Sequence, residues 1–125
     1  MFEPLSHDLL IGLIAPMARV ATPAFGGDAD RAEDFARNLL QGLQDGEVPD
    51  CLACVHDVLA YRSGVPPSRP GRLERRLVAL YVDAIWRGRG RTPEPHEWNL
   101  SLVEAGLSPA EAVGMLRPTR SSKGA

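Results

Sequence analysis

The sequence predicts an all-α fold, a compact single-domain bundle of five to six short helices. Three observations predict it. Apolar residues recur at intervals of three and four in one segment after another. No segment alternates apolar and polar residues at period two over five or more positions. Short Gly- and Pro-bearing joints punctuate the periodic stretches. At 125 residues the chain is one domain by size and needs no disulfide or metal staple for a core. Residues 1–118 form the expected domain and 119–125 a C-terminal tail.

The first segment runs from about Leu5 to Val20, with Leu9, Leu10, Leu13, Ile14, Met17 and Val20 at helical spacing. Ser6 fits the N-cap, and Pro16 is expected to kink or divide the helix. Thr22–Gly27 reads as a loop. The second helix, Asp30–Gln44, carries an unbroken stripe of Ala32, Phe35, Ala36, Leu39, Leu40 and Leu43. Asp30 and Glu33 have capping-box spacing, and Gly46 follows the end. A third, short helix, Asp50–Arg62, is capped by Asp50 and ended by Gly64. Leu52, Val55 and Leu59 line one of its faces, and Cys51, Cys54 and Val58 the adjoining one.

Val65–Pro70 is an extended linker, because its prolines cannot enter a helix interior. The fourth helix, within Pro70–Arg91, is the expected centre of the fold. Leu73, Leu77, Leu80, Tyr81, Ala84 and Ile85 make its stripe, widened by Val78 and Val82. Glu74, Arg75, Arg76 and Asp83 occupy the remaining face. Ser68 is its expected cap, and Gly88 and Gly90 its end. A strand over Leu77–Val82 is the competing reading, but no partner strand exists elsewhere. The fifth helix is expected to start at Thr92 and Pro93, carry Trp98, Leu102 and Ala105 on one face, and stop at Gly106. Ser108 and Glu111 form a capping box opening a last helix through Leu116, closed by Pro118.

Net charge is −2, unevenly placed. Residues 1–60 hold ten acids against three arginines, and residues 61–125 six acids against eleven bases. Attraction between the two halves within one fold accounts for this, as does an anionic partner for the basic half. Arg72, Arg75 and Arg76 sit at a helix start, where positive charge opposes the macrodipole. They call for a counter-charge: the acids of the second helix, another protein, or a phosphate. Arg87, Arg89 and Arg91 lie about 20 Å away and complement the helix end.

Cys51, Cys54, His56 and Asp57 are metal-ligand types close together. The two thiols share a helical face, while His56 projects about 200° from Cys54. Further ligands would have to come from His7 or His96. The order Glu47, Cys51, Cys54, His56 resembles the thiol peroxidases of the alkylhydroperoxidase D type. That resemblance covers ten residues and implies a proton relay to a reactive cysteine pair. The histidine arrives two residues earlier than in that family. A helix-turn-helix over Trp98–Leu116 fits the turn, but its second helix offers little to read base edges.

Phosphate loops, nucleophile elbows and His-Glu-x-x-His are absent from the sequence. The reading that follows is a non-catalytic protein-interaction module, a small accessory subunit or regulator. Its partner-binding residues are Arg72, Arg75, Arg76, Trp86 and Trp98, with the tryptophans serving as core or interface anchors. The partner is a protein or a second copy in a homodimer, reached through any uncovered flank of the fourth helix. A thiol-redox or metal protein centred on Cys51 and Cys54 is the alternative, with His56 in the relay; nucleic-acid binding through Arg72, Arg75 and Arg76 is the second. No cofactor and no membrane association are expected. The Leu9–Ala18 run is too short to span a bilayer and lacks a basic leader, so the expected location is cytoplasmic.

Overall fold

A computed structural model describes residues 5–45, 51–63 and 71–118. The described residues contain six α-helices and no strand, arranged as an all-α bundle. They are α1 (His7–Ala21), α2 (Ala29–Gln44), α3 (Cys51–Ser63), α4 (Arg72–Arg89), α5 (Pro95–Glu104) and α6 (Pro109–Val113). Gly46, Asp50, Gly64 and the Val65–Pro70 linker, which includes Ser68, lie outside the described residues. So does the 119–125 tail.

Helix α1 begins where Ser6 accepts a hydrogen bond from the Leu9 amide. Pro16 does not divide it. The helix runs through to Ala21, because Gly12, whose carbonyl loses its partner to the proline, is exposed and can be hydrated. The expected loop after it starts as a 3₁₀ turn, Thr22–Phe25. The Thr22 hydroxyl donates to the Ala18 carbonyl at 2.6 Å, and Gly26 and Gly27 then turn the chain at positive φ. By length and composition His7–Phe25 would suffice to cross a membrane, being longer than the ten-residue apolar run. In the bundle, Leu13, Met17, Ala21 and Phe25 are turned into the core.

The cap of α2 is Asp28, not Asp30. Asp28 is extended, so its carboxylate reaches the amides of Asp30 and Arg31, while Asp30 already lies inside the first turn. The stripe from Ala32 to Leu40 is buried as expected, with Phe25 and Phe35 rings 5.6 Å apart. Each large side chain so buried stabilises the fold by roughly 1.5–3 kcal/mol.

Helix α4 starts at Gly71, where the Glu74 carboxylate accepts from the Gly71 amide at 3.0 Å. Gly88 lies inside it, and Gly90, at φ 77°, ends it. Leu9 of α1 packs against Gly88, while Pro16 and Pro23 lie beside Arg76 and Leu80, so α1 and α4 run antiparallel. Helices α1, α3 and α5 all pack on α4. Every residue from Leu77 to Trp86 is consequently buried except the half-buried Leu80. The wide apolar surface is therefore used inside the bundle, and among the described residues only Leu80 of that run stays partly uncovered.

Helix α5 starts two residues later than expected, with Glu94 at the cap and Pro95 first in the helix. Glu97 fixes this start by accepting from the Glu94 amide at 2.9 Å. Ser108 caps α6 as expected, but the helix ends at Val113 and Leu116 is exposed. Only five residues long, α6 makes a poor recognition helix. The start of α3 is tied to the end of α5 by the Leu52 amide donating to the Ala105 carbonyl at 2.7 Å.

Candidate functional site

The sequence singled out one group of residues on α3 and two on α4; the fold keeps the two α4 groups apart and brings the α3 group against the start of α4. The thiols come first. Cys51 and Cys54 are buried and unbridged. Burial, with the Asp57 charge adding to it, pushes the Cys54 thiol up, which disfavours the thiolate a nucleophile or metal ligand needs. His56 is buried too, and its Nδ1 lies 2.8 Å from Oε2 of Glu74. Burial raises the Glu74 carboxyl. The hydrogen bonds from His56 and from the Glu74 and Gly71 amides outweigh that, leaving it below the usual carboxylate value. This pair clamps α3 to α4, so His56 faces Glu74. Glu47 lies outside the described residues. Among the described residues no three His, Cys, Asp or Glu side chains converge as a metal site. His7 and His96 are both exposed, on other helices.

Tyr81 sits deep in the core. Gln44 Nε2 donates to its hydroxyl at 2.7 Å, and Gln44 Oε1 accepts from the Leu5 amide. Burial pushes the phenol up to about 12, against a smaller lowering by the Gln44 bond.

Trp86 and Trp98 are core residues, 3% and 5% exposed. Their indole nitrogens are satisfied internally. Trp86 Nε1 donates to Ser101 Oγ at 3.0 Å, and Trp98 Nε1 to the Met115 carbonyl at 3.1 Å. Arg89 and Arg91 cover the Trp86 ring, with guanidinium carbons 4.3 and 4.9 Å from its centroid. The tryptophans thus hold α5 and the segment after α6 onto α4, with no face presented to a partner.

The arginines at the α4 start remain at the surface. Arg75 meets Glu111 of α6 at 3.4 Å, so its counter-charge is not the second helix. Arg72 and Arg76, one helical turn apart, are exposed. Arg76 shares a groove of about 290 Å³ with Arg19 of α1. Pro16, Val20, Pro23 and Leu80 form its apolar part. Among the described residues no carboxylate pairs with Arg19, Arg72 or Arg76.

A second polar site lies at the opposite end of α4. Asp83, expected on the outer face, is 6% exposed, because Arg117, from the segment after α6, folds over it. It pairs with Arg117 and with Arg87, whose Nε is 3.2 Å from Oδ2. These three side chains line a cleft of about 620 Å³ with Gly90, Arg91, Thr92 and Pro118. Sequence reasoning missed it. The signal was there in part: one carboxylate inside an apolar run, four residues before an arginine.

No family model, no curated protein and no solved structure matches the chain. The fold defines the protein as an all-α helical bundle.

Proposed function

We propose that the chain is a non-catalytic protein-interaction module that binds an acidic protein surface through the arginines at the start of α4. The observation that carries this reading is the set of three exposed guanidiniums, Arg19, Arg72 and Arg76, without carboxylate partners among the described residues. They flank a helix N-terminus, whose partial positive charge adds to theirs. Arg forks suit carboxylates, and the groove beside them offers an apolar seat for a neighbouring side chain.

A second copy is the first partner to test, in line with a homodimer. The outer face of α2 with its cap and C-terminus carries Asp28, Asp30, Glu33, Asp34 and Asp45 against Arg31 and Arg37. One copy's acidic α2 therefore complements the other's basic α4 start, an attraction that salt screens.

The test is sedimentation of the full chain at low and high salt, beside the double variant Arg72→Glu/Arg76→Glu. The expected result is association at low salt, loss at high salt, and a monomeric variant. Cross-linking of wild type and variant to the same protein pool covers a foreign partner. A monomer at every salt, together with identical cross-linked products from both proteins, would refute the proposal. Steeply salt-dependent binding to duplex DNA by wild type alone would transfer these arginines to a nucleic-acid role.

A further inference from the structure

Independently of that surface, we infer that the cleft at the other end of α4 is a binding site for a small multivalent oxyanion, a phosphoryl- or carboxylate-bearing molecule. Three features carry the inference. The first is Arg87. It is three-tenths exposed, yet it forms no hydrogen bond among the described residues. Its Nε is buried and lies 3.2 Å from Asp83 outside hydrogen-bonding geometry. A buried Nε without a hydrogen bond is unusual, because buried polar groups are nearly always hydrogen-bonded.

The second feature is how the cleft is built. Asp83 is held inside by the fold and sits between Arg87 and Arg117. One buried carboxylate thereby orients two forks at the wall of one cavity. Arg117 engages Asp83 through Nε, and Thr92 adds a hydroxyl. The third feature is charge. The lining carries Arg87, Arg91 and Arg117 against Asp83. Glu97 neutralises Arg91 by a two-pronged ion pair, at 2.9 and 2.6 Å. One positive charge is left over among the lining residues. The negative end of the α4 dipole opposes an anion here, but a terminus effect is smaller than charge-assisted bonds from two guanidiniums. A cleft of about 620 Å³ falls within the usual size of small-molecule sites.

Five of the seven lining residues carry a charge or a hydroxyl, so the directional contacts to a ligand have to come from the forks. That favours a ligand with two or more negative oxygens that bridges Arg87 and Arg117. A macromolecular strand is a worse fit to a cleft closed on one side by the Arg117–Pro118 segment.

The experiment is calorimetric titration of the full chain with pyrophosphate and, separately, with citrate. Amide shifts are followed by NMR in the same samples. The expected result is saturable one-to-one binding of at least one probe, with shifts at Gly90, Arg91 and Thr92. The tighter probe identifies the favoured oxyanion group. Arg87→Lys keeps the charge but removes the fork and should weaken binding about tenfold or more. Thr92→Val, at an exposed position, should weaken it less and leaves the fold intact as a check. Non-saturable binding, equal affinity in Arg87→Lys, or shifts confined to Gly71–Arg76 would each overturn the assignment.

Discussion

Replacing Tyr81 by Phe should make the pH dependence of stability cross that of the wild type. At neutral pH the variant loses only the phenolic oxygen, leaving the Gln44 amide without that acceptor. An orphaned, partly buried donor of this kind costs about 1–3 kcal/mol. Above pH 10 the balance changes. The phenol titrates at about 12 in the fold against 10.0 for an unperturbed tyrosine. Its folded value is the higher one, so the stabilisation is complete below pH 10. It is lost as pH rises towards 12, because the unfolded chain releases the proton first. At about 1.36 kcal/mol per pH unit, the full loss is roughly 3 kcal/mol. The variant has no phenol at this position and escapes that loss. Urea unfolding at a series of alkaline pH values measures both limbs. Other groups titrate in the same range, but they are common to both proteins and cancel in the difference. The difference in unfolding free energy should fall towards zero and approach a change of sign. A difference that stays constant from neutral pH to 12 would refute the argument that burial keeps Tyr81 protonated.

Two further predictions concern α3. Glu74→Gln should destabilise by about 1–3 kcal/mol near neutral pH, by weakening the buried contact with His56. Because the Glu74 carboxyl lies below 4.5 in the fold, its contribution is present above that value and lost as pH falls through the folded value. Acid unfolding should accordingly be shallower in the variant, and an unchanged acid limb would show that the pair is immaterial. Cys51 and Cys54 should react with a thiol reagent only as fast as the structure opens, so adding urea below the unfolding midpoint should speed labelling in step with falling stability. Immediate labelling in native buffer would show the thiols to be accessible and revive the redox reading.

Local signals in the sequence translated well into structure, and long-range ones did not. Ser6 and Ser108 cap their helices as expected, because an N-cap is decided within three residues. The stripe of α2 was legible for the same reason. Its cap was not. Asp28 and Asp30 are equally good cap residues, and the choice between them is set by Gly26 and Gly27 turning the chain at positive φ. At α5 the local signal, Thr92 with Pro93, was overridden by Glu97, which accepts from the Glu94 amide and starts the helix there. At the sites, the arginines at the start of α4 were legible as a patch. Arg19, from a helix separated by half the chain, was not. Asp83 looked like a surface residue because helical spacing gives a face but does not say what covers it. Its partner Arg117 is 34 residues away. Trp86 and Trp98 were ambiguous from sequence, since large aromatics suit cores and interfaces alike.

The enclosure of α4 also bears on how this chain is made. A ribosome releases α1, α2 and α3 first, and α4 ends about 26 residues after α3. Translation at about 5–20 residues per second leaves roughly one to five seconds in which the inner faces of three helices have no central helix to close on. The nascent chain is then stickier than the finished protein, and slower elongation across Arg72–Arg89 should increase its dependence on chaperones. Truncation before α4 should give insoluble product, whereas truncation after Pro118 should not.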